Sequence, residues 1–169
     1  MKTSKLVRVL LYLLFIGGNI AVTVSCNSTN CPLNNTVYST YGFYAIIDGK
    51  EEAVQIQDTL TVKASGTDSI LINRLTSQNK IELPISYNAP TDTLCFEFTN
   101  TDGLLRRDTI WLDKENYPHY ESPECPASMF HVVTSIRHTR NLIDSVLVVN
   151  PNLNYNASEN FKIYFRSAL

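Results

Sequence analysis

Thr93-Leu94-Cys95-Phe96-Glu97-Phe98 places Leu, Phe and Phe at every second position, with Thr, Cys and Glu between them. A period of two puts the apolar side chains on one face of an extended chain and the others on the opposite face, so the stretch predicts a strand with one dry side. The same rhythm runs in both directions from it. Leu60 and Val62 alternate with Thr59, Thr61 and Lys63, and Ile81, Leu83, Ile85 and Tyr87 alternate with Lys80, Glu82, Pro84 and Ser86. Pro84 has no N–H to give a ladder, which assigns its strand to an edge or a bulge. In the C-terminal third, Phe130 to Thr139 and Asn141 to Asn150 flank Arg140 and predict a hairpin. Asn150-Pro151-Asn152 then predicts a turn, and Phe161 to Phe165 a last strand. A helix starting at Pro126 is opposed by the β-branched Val132, Val133, Thr134 and Ile136. The expected fold is therefore all-β, a single antiparallel β-sandwich or a partly closed β-barrel over residues 38–169. Both an Ig-like sandwich and a calycin-like barrel satisfy the pattern.

Before the strands comes a different kind of sequence. Lys2, Lys5 and Arg8 precede the apolar run Val9 to Ile16, which Gly17-Gly18-Asn19 interrupts before Ile20 to Cys26. This is the three-part build of a secretory signal, and the run is shorter than the roughly 20 apolar residues of a spanning helix. Ser25-Cys26 resembles the lipobox of bacterial lipoproteins, with Thr23 where those proteins prefer an aliphatic residue. The resemblance implies a signal peptide over 1–25, lipidation of Cys26, and a tether over 26–37 that anchors the domain to a membrane. Removing residues 1–25 from 169 leaves 144, with 11 basic against 16 acidic residues and a formal charge of −5. The remaining basic residues are scattered, and Arg106-Arg107 is their only adjacent pair. A nucleic-acid partner would need a basic face, so that class is set aside.

Four cysteines are present, Cys26, Cys31, Cys95 and Cys125. If Cys26 is acylated, Cys31 and Cys125 are the expected disulfide, because both precede proline in turn-rich segments. Cys95, inside a predicted strand, is then expected to be a buried free thiol. If Cys26 is not acylated, all four can pair, in three connectivities. His119, His131 and His138 are scattered and no C-x-x-C or H-x-x-x-H spacing occurs, so no metal or cofactor is expected. By its alternation with Phe130 and Val132, His131 is expected to face solvent.

No sequence signature of a nucleophile, a phosphate loop or a zinc protease appears, and no catalytic residue is assigned. A small envelope hydrolase remains the third choice of function. Asp-[Ser/Thr]-aliphatic recurs at Asp58, Asp68, Asp92, Asp108 and Asp144. Such tripeptides open strands after turns. They also resemble the acceptor for general O-glycosylation in Bacteroidota, which would make Thr59, Ser69, Thr93, Thr109 and Ser145 attachment points. Aromatic residues gather at Tyr38, Tyr41, Phe43 and Tyr44, and again at Tyr117-Pro118-His119-Tyr120, read as a loop. Exposed rings of this kind stack on sugars or anchor a partner's side chains. Tyr38, Tyr41, Tyr44, Tyr117 and Tyr120 are therefore the candidate binding aromatics.

The lipobox-like Cys26, the Cys31-Pro32 tether, the Cys125 loop, Ile143-Asp144-Ser145-Val146 to Asn150-Pro151, Asn154 and Glu159-Asn160-Phe161-Lys162-Ile163-Tyr164-Phe165 resemble a domain-of-unknown-function family of small lipoproteins from Bacteroidota. The resemblance implies an exported β-domain and no catalytic residues. Surface-displayed lipoproteins of that phylum often carry acidic residues just after the cysteine. Asn27-Ser28-Thr29-Asn30 has none, which points to an outer-membrane lipoprotein facing the periplasm. The expected function is non-catalytic binding or scaffolding in an envelope complex, with an envelope protein or a glycan as partner. The alternative is a carbohydrate-binding accessory lipoprotein.

Overall fold

The computed structural model describes residues 31, 35–67, 69–156 and 158–166. The chain divides into residues 1–31 and residues 32–169, and the architecture below belongs to the second unit. The predicted signal peptide, the lipidation site Cys26 and Asp68 lie outside the described residues.

Among the described residues there are eleven strands and no helix. One sheet contains β1 (Tyr38–Ile47), β2 (Lys50–Ala53), β5 (Lys80–Pro84), β9 (Ile143–Val148) and β11 (Phe161–Phe165), with a main order β2-β1-β11-β9. The other contains β3 (Thr59–Ala64), β4 (Ser69–Leu75), β6 (Thr91–Thr99), β7 (Leu105–His119), β8 (Ser128–His138) and β10 (Asn152–Leu153), in the order β10-β8-β7-β6-β3-β4. The fold is an all-β sandwich, with one sheet forming a half-barrel. Every pairing is antiparallel except β1 with β11, which run parallel in the register Tyr41↔Phe161 to Tyr44↔Tyr164. On its other edge β1 carries β5 opposite Tyr38–Gly42 and β2 opposite Tyr44–Ile47. Between those two strands Phe43 is still paired, its N–H donating to Asn79 and its carbonyl accepting from Val54. β5, the strand ending at Pro84, pairs only with β1, as a proline-bearing edge strand should.

The period-two patterns supply the core. Leu60 and Val62 of β3, Leu94, Phe96 and Phe98 of β6, and Ile110 and Leu112 of β7 are all buried. They meet Tyr41 and Phe43 of β1, Ile81 and Leu83 of β5, and Phe161, Ile163 and Phe165 of β11 in one cluster. Rings cross between the sheets: Phe98 lies edge-on to Phe165 at 5.7 Å and Tyr41 edge-on to Phe96 at 6.2 Å. Tyr41 also stacks on Phe161 at 4.7 Å. Edge and offset contacts of this kind add to the burial of apolar area.

Four expectations need correction. The predicted hairpin around Arg140 does not form. β8 pairs with β7, and β9 pairs with β11 in the other sheet. The cause is Asp108, buried on β7. Its Oδ1 accepts from the Thr139 hydroxyl (2.6 Å) and the Asn141 N–H (2.8 Å), and its Oδ2 from the N–H groups of Leu142 (2.7 Å) and Ile143 (3.0 Å). Capturing those groups carries the chain out of one sheet and into the other. Second, Tyr117-Pro118-His119 is not a loop but the end of β7, in register with Phe130, Met129 and Ser128.

Third, His131 is buried, at 1% exposure. Between β7 and β8 the register shifts from Asp113↔Ser135 to Lys114↔Val133, leaving Thr134 unpaired. A bulge reverses which positions of a strand face inward, so Ile136 and His131 reach the same side although their parity differs. Fourth, Cys95 is a free but only half-buried thiol. It pairs with Thr109 and Lys63 on the outer face, because Leu94 and Phe96 take the inner one.

Candidate binding surface

Past the bulge, the inward face of β7 turns from Leu112 to Lys114 and Asn116, and a polar layer replaces the apolar one. The Lys114 side chain has no exposed surface. Its Nζ lies among the Ser86 carbonyl (3.1 Å), the Ser86 hydroxyl (3.2 Å), Asn116 Oδ1 (3.1 Å) and the Ala89 carbonyl, with Asp92 Oδ2 at 3.6 Å. Asn116 Nδ2 donates to the Asn88 and Ala89 carbonyls, so its Oδ1 is the acceptor for both Lys114 and His131 Nδ1, the latter at 2.7 Å. The neutral ring of His131 therefore carries its proton on Nδ1. Burial, and then the Lys114 charge, lower the His131 pKa to about 4. Burial also lowers that of Lys114, against the pull of Asp92. A charge buried this way is tolerated only with partners. Here those partners are the connection between β5 and β6, which Lys114 and Asn116 hold against the end of the sandwich.

The outer face of the other sheet carries a second polar group. Tyr44 donates its hydroxyl to Glu159 (3.0 Å), while Lys162 and Tyr164 both donate to Glu51. Lys162 Nζ also lies 4.5 Å from the centre of the Tyr44 ring, a cation–π contact. The hydrogen bonds from Lys162 and Tyr164 hold the Glu51 carboxyl below its ordinary pKa, and Glu51 in turn raises that of Lys162. A Cβ at Gly42 would overlap the Glu159 carboxylate and come within 2.7 Å of Tyr44 Cε2. Glycine at that position lets Glu159 lie across β1. An open groove of about 780 Å³ lies beside this cluster, lined in part by Ile46, Ile47, Asp144 and Arg166.

The third arrangement is aromatic. Phe130 stacks on His119 with ring centroids 4.2 Å apart and receives the edges of Tyr117 (6.1 Å) and Tyr155 (5.1 Å). The Tyr155 hydroxyl meets that of Ser128. Tyr155 lies between β10 and β11 and also lines a cleft of about 150 Å³ that Tyr38 lines as well. Glu82, Thr40, Asn154 and Asn156 complete the cleft with Thr36. Tyr38 is 44% exposed, Tyr117 40% and Tyr155 41%. The two aromatic groups that look separate in sequence are thus linked in space through Tyr155.

The predicted site residues fall out unevenly. Tyr41 is a core residue with no exposure, so its ring is not available to a ligand, and burial raises its phenol pKa. Tyr44 is tied into the Glu159 and Lys162 group. Tyr38 and Tyr117 remain exposed, and Tyr120, 60% exposed, lies beyond the end of β7. Of the Asp-[Ser/Thr]-aliphatic hydroxyls, Ser69 and Ser145 are exposed, whereas Thr59, Thr93 and Thr109 are half-buried. Three of the aspartates are turned inward and held there, Asp58 by Arg106 at 3.0 Å, Asp92 near Lys114, and Asp108 by the β8–β9 connection, while the half-buried Asp144 accepts from Arg140 at 3.0 Å. These three tripeptides place Asp and the aliphatic residue inward and the hydroxyl outward, as alternation requires. Cys31 and Cys125 are disulfide-bonded. Nothing in the sequence marked Phe130, Asn154 or Glu82 as members of a surface site. Only the isolated Tyr155 among asparagines could have drawn attention to that set.

Fold and bonding together define a disulfide-containing all-β sandwich domain. Its polar core groups maintain the architecture, and its aromatic groups reach the surface. A family described as a family of unknown function (DUF6452) matches residues 59–165, more than half of the chain, and the chain belongs to that family. No curated protein and no solved structure matches it.

Proposed function

We propose that the chain is an exported bacterial envelope lipoprotein, held to the outer membrane through Cys26, facing the periplasm, whose β-sandwich binds or scaffolds without catalysis. The observation that carries the reading is the disulfide between Cys31 and Cys125, which is compatible with an exported, non-cytosolic protein. It stands beside the basic n-region, the short apolar run and the Ser25-Cys26 junction of the sequence. The binding part of the proposal draws support from how the ionisable groups are used. Asp58, Asp92, Asp108 and Lys114, the acids and base turned inward, each hold a strand or connection in place. The exposed aromatic residues are then the groups left to meet a partner. Expression of the full chain and of Cys26→Ser in a host with a lipoprotein pathway tests the anchor. The wild type should fractionate with the outer membrane and require detergent for release, and the variant should appear in the aqueous periplasmic fraction. Equal solubility of the two would contradict the proposal.

A further inference from the structure

We infer that the cleft between Tyr38 and Tyr155 is a carbohydrate site that takes one neutral pyranose unit, a hexose or an N-acetylhexosamine, of a larger glycan. The inference rests on the binding reading above and names its ligand class. Three observations meet at this place. Two exposed tyrosines line the cleft, and an aromatic face packs against the apolar C–H face of a pyranose. Lining it with them are the planar carboxylate of Glu82 and the planar amides of Asn154 and Asn156, with Thr40. These offer donors and acceptors in pairs suited to neighbouring sugar hydroxyls.

The polar groups are also left unused by the fold. Among the described residues Glu82, the Tyr38 hydroxyl and the Asn156 side chain make no hydrogen bond or ion pair, in contrast to Glu51, Glu97 and Glu159, which are all engaged. Asn154 uses only its Oδ1, to accept the Asn156 N–H at 2.8 Å.

The chemistry excludes other ligands. Among the described residues no lysine or arginine lines the cleft and a carboxylate does, so a phosphate, a nucleotide or a uronate would meet repulsion rather than a counter-charge. An apolar peptide side chain would bury Glu82 and the two amides without partners, at a penalty that a polyhydroxylated ring avoids. Tyr155 is positioned by Phe130 and Ser128, so one wall is preformed. Tyr117 and His119 lie further along the same aromatic row and would meet the next residues of a chain.

The test is saturation-transfer-difference NMR on the mature protein extracted from membranes. N-acetylchitotetraose and cellotetraose are the neutral probes and tetragalacturonate is the anionic one. Transfer to the ring protons of at least one neutral tetrasaccharide, and none to tetragalacturonate, is expected. Tyr38→Ala and Tyr155→Ala should each weaken that binding by about tenfold or more. Tyr120→Ala, outside the cleft, should leave it within about twofold of wild type. Tyr38→Ala changes a side chain with no hydrogen bond or ring contact among the described residues, so a folded variant is available even if Tyr155→Ala is unstable. Absence of transfer to both neutral probes, transfer to tetragalacturonate of equal strength, or binding that survives Tyr38→Ala would overturn the inference. Membrane fractionation of Cys26→Ser is read independently, so loss of sugar binding and loss of the anchor are separate results.

Discussion

His131 shows how one side chain reports on its surroundings. Its ring is shut into the polar layer beside the Lys114 ammonium, and both burial and that charge favour the neutral form, with a pKa of about 4 against 6.5 for a free histidine. Between those two values the unfolded chain takes up a proton that the folded protein refuses. Stability contributed by neutral His131 is therefore complete above about pH 6.5 and is lost progressively as the pH falls towards about 4. The full difference amounts to roughly 3 kcal/mol. Urea denaturation at pH 7 and at pH 4.5 should show the wild type losing a large part of this, and His131→Gln should lose correspondingly less over the same interval. Parallel pH profiles for the two proteins would show that His131 is not held neutral. The sequence could not reveal this environment, because Phe130 and Val132 on either side advertise the opposite alternation and the unpaired Thr134 that reverses it leaves no local mark.

At the scale of elements, what could be read in advance was whatever depends on neighbours along the chain. The strands around Leu60, Leu83, Phe96 and Ile163 obey period two because each covers one face of a shared core. Pro84 indicates an edge correctly for the same local reason. What failed depends on partners far away in sequence. Nothing within residues 130–150 distinguishes a hairpin from a crossover, since the deciding group is Asp108, more than thirty positions earlier. Likewise Tyr155 gains its meaning only from Tyr38 and Phe130. The crossover makes a direct prediction. Asp108→Ala leaves the Asn141, Leu142 and Ile143 N–H groups without their acceptor in a region where Leu142 and Ile143 are buried. A loss of roughly 3–4 kcal/mol in unfolding free energy is expected. Hydrogen exchange should localise that loss to residues 139–143 and the adjoining β9 before it reaches β6. A change below about 0.5 kcal/mol, the range of ordinary surface substitutions, would remove Asp108 from this role.

For the whole molecule, β1 and β11 lie side by side, so the first and last strands of the sandwich close the same sheet. The disulfide adds a covalent tie at Cys125 to the segment before β1, and bridges spanning long loops typically contribute about 2–4 kcal/mol. Tyr38, Tyr117 and Tyr155 stay exposed at the surface. The family match over residues 59–165 covers most of this architecture and gives no activity with it, which leaves the location of the protein as the claim on which its function rests. Intact mass spectrometry of the protein purified from membranes of its native host tests that claim most directly. The expected product is a chain beginning at Cys26, heavier by attached acyl groups, with hexose-type increments only if reachable hydroxyls such as Ser69 and Ser145 are modified. An unacylated chain recovered from the soluble fraction, with Cys26 free or in a disulfide, would contradict it.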